Sequence, residues 1–171
     1  AAPTPGASFH RGDLGQLPDG RVLMIQSGYG NEDPYNRGGI TSFTSEGAQI
    51  GWFQYSLHLG KGFARLPDGR VLVAEHVLGY LYAFAPDGQG TLFANMNAWN
   101  PWSIQDFARI ADGRILVLMN GSSGGFIVAL NRNGRQGVEF ASGLEAPGGM
   151  VQLQDGRVLV NVGGSKAGIV A

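Results

Sequence analysis

The sequence predicts an all-β fold made from one sheet-forming repeat used four times, and three observations carry that prediction. The first is an eight-residue motif, LPDGRVLM at 17–24, which returns without gaps as LPDGRVLV at 66–73, IADGRILV at 110–117 and LQDGRVLV at 153–160. The second is the spacing: Asp19, Asp68, Asp112 and Asp155 stand 49, 44 and 43 residues apart. The third is that no stretch shows helical periodicity, while 29 glycines without a Gly-X-Y period point to many tight turns.

Each copy reads as a hairpin. The segments leading into the turn, 62–66, 106–110 and 149–153, carry apolar residues at alternate positions, as a strand does. Asp-Gly then supplies the turn, because Asp bonds to nearby backbone amides and Gly takes a positive φ at little cost. The strand that follows is a continuous apolar run, Val71-Leu72-Val73 in the second copy. Such a run implies burial on both faces, and stacked sheets provide it where a lone hairpin does not.

Two more strands follow in each repeat. Residues 40–45, 80–85 and 126–132 are rich in β-branched and aromatic types and run into a second turn, Glu46-Gly47, Asp87-Gly88 or Asn133-Gly134. A short outer strand comes next, as at 91–94 and 138–141. Four strands in roughly 40–50 residues is the size of a β-propeller blade. The blades fall at about residues 9–56, 57–98, 99–144 and 145–171, and the last is incomplete. Aligning Ile169-Val170-Ala171 with Ile127-Val128-Ala129 puts residue 171 inside the third strand. Segment 1–8, with two prolines and no apolar alternation, is a poor candidate to finish it. Two readings stand: the chain is part of a six- or seven-bladed propeller, or another chain covers its open edges.

The pattern of strand, Asp-Gly-Arg, Val-Leu-Val, loop, aromatic strand and second Asp-Gly resembles the NHL-type and gluconolactonase-like propeller repeats, over residues 12–171. The resemblance implies the blade and says little about activity, because these repeats serve enzymes, binding platforms and scaffolds alike. It also implies ligand sites on one face, near the central channel, and, in gluconolactonase-like enzymes, a metal at that mouth.

Composition removes several classes. Charged residues make up only 15% and net charge is −1, so nothing favours nucleic acid or an anionic membrane surface. No apolar run approaches the ~20 residues of a membrane span. The absence of cysteine removes disulfides and thiolate metal sites. The opening Ala-Ala-Pro-Thr-Pro reads as the remnant of a cleaved leader, which would place the protein outside the cytoplasm, secreted or periplasmic, with a bacterial origin plausible. An engineered start would read the same way.

In an up-and-down blade, the first and third turns share one face and the other connections share the opposite one. The first face is built from short Asp-Gly and Asn-Gly turns. The second collects the irregular loops, expected at 26–39, 53–62, 75–79, 95–105 and 119–125. Binding groups usually stand on such loops. Trp99 and Trp102 in NAWNPW are read either as an aromatic platform for sugars or prolines or as cover for a blade junction. Tyr35 and Asn120 are further ligand candidates on the same face. Glu75 and His76 depart from the other copies and invite acid–base or metal chemistry, although neighbouring strand residues point to opposite faces. Asp13 and Asp106 open the first strand of blades 1 and 3, where two carboxylates could hold a divalent cation. Arg21, Arg70, Arg114 and Arg157 recur with the turn and are read as pairing with acceptors there.

The leading functional expectation is a platform whose loop-rich face holds a carbohydrate, peptide or protein. The alternative is a metal-dependent lactonase or lyase at the channel mouth near Asp106. A second alternative is self-assembly through open blade edges.

Overall fold

The computed structural model describes residues 9–10, 13–28, 38–57, 60–75, 78–135, 137–164 and 168–170. They form antiparallel sheets laid side by side in chain order. Blade 1 contains β1 (Phe9–His10), β2 (Leu14–Gln16), β3 (Val22–Gly28), β4 (Gly38–Phe43) and β5 (Gln49–Leu57). Both β1 and β2 pair with β3, so its inner strand comes in two pieces. Blade 2 is β6 (Gly60–Arg65), β7 (Val71–Glu75), β8 (Tyr80–Phe84) and β9 (Gly90–Asn95). Blade 3 is β10 (Ser103–Arg109), β11 (Ile115–Gly121), β12 (Gly124–Leu130) and β13 (Gly137–Leu144). Blade 4 has β14 (Gly149–Gln152), β15 (Val158–Val162) and β16 (Gly168–Val170), ending in its third strand as the alignment expects. A 3-10 turn, Asn97–Trp99, joins blades 2 and 3, and no described helix is long and apolar enough to cross a membrane.

The four Asp-Gly-Arg turns are copies in atomic detail. The Leu17 N–H donates to the Arg21 carbonyl and the Gly20 N–H to the Leu17 carbonyl, and the same pair of bonds recurs at 66–70, 110–114 and 153–157. Each aspartate accepts the arginine's own N–H on Oδ1 and the guanidinium on Oδ2, with ion-pair distances of 2.7, 2.7, 2.7 and 2.8 Å. The arginines therefore pair within their turns, as the repeat implied. Exposed pairs of this kind contribute little net stability; here they hold the aspartate in its turn-forming rotamer.

The core is three inter-blade layers rather than one centre. Val71 and Val73 face blade 1 with Leu23, Ile25, Ile40 and Phe84, while Leu72 and Ala74 face blade 3 with Leu81, Ile115 and Val117. Leu116 and Leu118 turn the other way, toward Val160 of blade 4. Alternate residues of one apolar run thus enter different layers, which is the physical reason the run has no polar position.

Two further contacts repeat across the junctions, and the sequence alone did not reveal them. Phe63, Phe107 and Met150, each five residues before the aspartate of its inner turn, pack back on the preceding blade. The site under Phe63 is Gly15, where an added Cβ would lie 2.6 Å from the ring. In blade 1 the matching residue, Leu14, is 67% exposed. The second contact is the glycine of the outer turn, which slides under the outer strand of the preceding blade. A Cβ on Gly88 would meet the Phe53 carbonyl oxygen at 2.5 Å, and one on Gly134 would meet that of Phe93 at 2.5 Å.

The expected loops are shorter than their composition suggests. Segment 119–125 is not a loop: β11 and β12 run to Gly121 and from Gly124, leaving a two-residue turn at Ser122-Ser123. Likewise β5 continues to Leu57 and β6 begins at Gly60, so most of segment 53–62 is strand. Backbone pairing there overrides the flexible look of Gly and Ser. Most of segment 26–39 lies outside the described residues.

Gly47 and Gly88 occupy the same turn position with φ of 88° and 89°, but a Cβ added to Gly47 would meet no atom within 4 Å. Gly47→Ala should therefore cost only the left-handed backbone penalty of about 1–2 kcal/mol. Gly88→Ala should lose clearly more, through the added clash with Phe53. Thermal melts of the two variants, compared with the parent chain, check the difference.

Candidate functional site

Inner strands β2, β6, β10 and β14 stand next to one another; of the two carboxylates expected at the channel mouth, Asp13 immediately precedes the first and Asp106 lies on the third. Asp13 Oδ2 accepts the Gly62 N–H at 2.6 Å, joining blade 1 to blade 2. Asp106 Oδ2 accepts the Met150 N–H at 2.8 Å, joining blade 3 to blade 4, while its Oδ1 accepts the Phe107 N–H at 2.8 Å. Each carboxylate is thus a clamp between neighbouring blades. In blade 2 the position belongs to Gly62, held at φ 69° with the Phe107 ring where a side chain would go.

Burial pushes the Asp106 carboxyl above its ordinary value of 3.8. The N–H bonds from Met150 and Phe107 oppose that shift, the charge of Asp13 adds to it, and Lys61 opposes it. Asp13, Lys61 and Asp106 are thus near enough for their charges to act on one another, and Lys61 Nζ lies 3.5 Å from Gln105 Oε1. A hard divalent cation takes six to eight oxygen ligands. Among the described residues no group of three or more His, Asp or Glu gathers to begin such a shell. The Asp13 and Asp106 pair, with oxygens already engaged by backbone N–H groups, does not fit a cation site by itself.

A second assembly lies at the junction of blades 2 and 3, on the face bearing the longer connections. The β9–β10 connection is shaped by the hydrogen bonds its backbone N–H groups donate. Asn95 Oδ1 accepts the Asn97 N–H at 2.9 Å, the Met96 N–H donates to the Gly79 carbonyl at 2.8 Å, and the buried Met96 anchors the segment. The 3-10 turn then delivers Trp99, and Asn100 leaves it in the left-handed conformation, φ 50°. Trp99 packs on the layer between blades 2 and 3 and also lines a pocket of about 230 Å³. The pocket is completed by Asn100, the Gly121–Gly124 hairpin with Ser122 and Ser123, and Glu139 and Ser142 of β13. Ser142 Oγ donates to Glu139 Oε1 at 2.8 Å and fixes that carboxylate at the rim.

The tryptophans occupy different environments. Trp102 is 68% exposed, tied by its N–H to the Asn120 carbonyl at 2.7 Å, and does not line the pocket. Asn120 sits at the end of β11 opposite Gly125, beside the pocket rather than in it. Glu75, the last residue of β7, is 5% exposed, and its charge is among the causes that raise the Tyr82 hydroxyl, after burial. Tyr35 and His76 lie outside the described residues. Glu139 and Ser142 were not singled out from the sequence, whereas Ser122 and Ser123 fall within the expected loop 119–125. The first two stand on an outer strand that reads as ordinary alternation, and only the fold brings that strand against Trp99.

No family model matches the sequence, and no curated protein is significantly similar to it. Solved structures do share its fold. A calcium-binding regucalcin from Agrobacterium tumefaciens is 14% identical, with a TM-score of 0.70 over 92% of this chain and 54% of its own. Virginiamycin B lyase from Staphylococcus aureus is 18% identical, with a TM-score of 0.66 over 98% and 56%. A gluconolactonase from Xanthomonas campestris is 16% identical, with a TM-score of 0.65 over 95% and 57%. The chain thus spans just over half the length of these structures. Its resemblance to gluconolactonase-like propellers holds at the level of the fold: the protein is built of β-propeller blades.

The two classes of aspartate should respond to pH in opposite directions. Hydrogen bonds from their arginines hold Asp19, Asp68, Asp112 and Asp155 below 3.8, so the stability these contribute is present above that value and lost as pH falls through their folded values. Asp106 is raised, so the folded state holds its proton more tightly and stability falls as pH rises from 3.8 through its folded value. Carboxyl NMR titration should place Asp106 above 3.8 and the four turn aspartates below it. Asp106→Asn should remove the fall on the upper side while leaving the acid loss in thermal melts.

Proposed function

We propose that the loop-bearing face binds a hydroxyl-rich ligand of the carbohydrate class in the pocket between the β9–β10 connection and the outer strands of blade 3. The observation that carries the reading is the combination in one concavity of a half-buried Trp99 ring, the Glu139 carboxylate and serine hydroxyls. An aromatic face packs against the C–H face of a sugar ring, and hydroxyls and a carboxylate accept and donate around its edge. Trp99 is both cover for the junction and pocket wall, so the two roles weighed for it in the sequence are compatible.

A second reading is an enzyme acting at the channel mouth. Two of the similar structures are named as a gluconolactonase and a lyase, which fits an enzyme at least as well as a binding platform. The raised, partly buried Asp106 beside Asp13 and Lys61 supports it, since a carboxyl lifted from its ordinary value is better matched to proton transfer. A regucalcin of the same fold is named as calcium-binding, but Asp13 and Asp106 alone do not make such a site, so in this reading the proton transfer falls to Asp106 itself.

Glycan-array binding followed by titration of the best oligosaccharide tests the leading reading. Glu139→Gln should weaken binding about 3–10-fold, as loss of a charged hydrogen-bond partner does. Trp99→Ala should weaken it more, and Trp99→Phe should retain part of it with the fold intact. Trp102→Ala should leave it unchanged. Binding that survives both Trp99→Ala and Glu139→Gln would sink the proposal, while lactone turnover abolished by Asp106→Asn would favour the enzyme.

A further inference from the structure

We infer that the opposite face, built from the short turns, carries a docking groove for an acidic peptide segment at the junction of blades 2 and 3. Nothing in the carbohydrate reading uses it. The groove measures about 600 Å³ and is lined by Arg70 of the blade 2 inner turn, Arg132 and Arg135 of the blade 3 outer turn, and Leu92 and Phe93 of β9. Three guanidinium-bearing residues stand there against one carboxylate, Asp68, in a chain whose net charge is −1. Asp68 is already engaged by Arg70 at 2.7 Å. Among the described residues neither Arg132 nor Arg135 has a carboxylate partner.

Comparison of the turns shows that this arrangement belongs to one junction. The outer turns read Thr44-Ser45-Glu46-Gly47-Ala48, Ala85-Pro86-Asp87-Gly88-Gln89 and Asn131-Arg132-Asn133-Gly134-Arg135, closed in each case by the glycine N–H donating to the first residue's carbonyl. Arg132 and Arg135 thus replace Ser45 or Pro86 and Ala48 or Gln89. At the junction of blades 1 and 2, Arg21 reaches across and donates to the Pro86 carbonyl at 2.7 Å, bridging the two turns. At the next junction Arg70 turns instead to Thr91 Oγ1 of its own blade, at 3.5 Å, and the groove opens between the turns. The blade 3 turn is held firm, since Asn131 Oδ1 accepts the N–H groups of both Asn133 and Arg135.

The chemistry of the groove selects its occupant. Guanidinium groups bind carboxylates through paired N–H donors. Leu92, 56% exposed, and Phe93 offer an apolar surface that an extended polyanion would leave unused. A short segment with an apolar side chain between acidic ones satisfies both, and the positive patch is too local to hold a long sulfated chain against the acidic remainder.

Fluorescence anisotropy with a labelled synthetic heptapeptide, one phenylalanine flanked by three glutamates on each side, tests this on the 171-residue chain. Binding should weaken when salt rises from about 0.05 to about 0.5 M. The double variant Arg132→Ser, Arg135→Gln restores residues used at the sibling turns, so it should keep the parent melting temperature and lose about tenfold or more in affinity. Trp99→Phe on the other face should change nothing. The inference is overturned if the peptide does not bind, if its lysine-flanked counterpart binds as well, if a sulfated oligosaccharide binds more tightly, or if the folded double variant binds unchanged.

Discussion

Everything in this molecule follows from sheets stacked face to face. A four-stranded sheet with both faces covered has no polar side for its central strands, so β7 and β11 are apolar at every position from Val71 to Ala74 and from Ile115 to Met119. The stacking distance then decides the residues around them. Where Phe63 leans back on blade 1 the facing residue is Gly15, and where the outer turn passes beneath a neighbour's carbonyl it is Gly88 or Gly134. Such a structure resembles a one-dimensional array in which each blade is stabilised mainly by its neighbours. Its signature is seen at the two outermost described faces, where Leu14 is 67% and Val151 54% exposed although their counterparts in the middle blades are better covered.

That constraint explains which features were legible in the sequence. The Asp-Gly-Arg turns could be read because their bonds join residues at most four apart, so a local motif contains the whole interaction. The two-faced burial of the second strand could be read because it leaves an uninterrupted apolar run, and the third-strand position of β16 because its residues align with β12. The junction contacts could not. Phe53 to Gly88, Phe93 to Gly134 and Asp13 to Gly62 join residues 35, 41 and 49 apart, and nothing local marks either partner. The loops were overestimated for a related reason. Gly121, Ser122, Ser123 and Gly124 have the composition of a flexible connection, yet the pairing of Met119 with Phe126 and of Asn120 with Gly125 draws that segment into a two-residue hairpin.

The same limit applied to the candidate site. Departures from the internal repeat drew attention to Glu75 and to the paired tryptophans, but the repeat says only that a residue is unusual and not which way it faces. Glu75 ends inside the blade, and the two tryptophans part company within three residues, because the 3-10 turn and the left-handed Asn100 rotate the chain between them. Glu139 and Ser142 became visible only when β13 was placed beside that turn. Asp13 and Asp106 were singled out by position, and the structure adds a contact that position could not express: each accepts the backbone N–H of the next blade.

Those clamps also distinguish the junctions from one another. Asp13 ties blade 1 to blade 2 and Asp106 ties blade 3 to blade 4, and on the other face Arg21 bridges the first of these pairs. Between blades 2 and 3 the aspartate position is Gly62, filled by the Phe107 ring, and Arg70 stays within its own blade. That junction depends instead on the apolar layer that runs from Leu66 and Leu72 to Met119 and Leu130. A polar contact across it, Lys61 Nζ to Gln105 Oε1, is long at 3.5 Å, while the apolar layer beside it is continuous. The arginine-lined groove opens between the turns of these two blades, and the Trp99 pocket lies on the other face, where the connection between them passes against the outer strands of blade 3. The middle of the array is then where the surface is free to specialise, because burial supplies most of the stability there, and Arg132 and Arg135 at its rim are not committed to a carboxylate among the described residues.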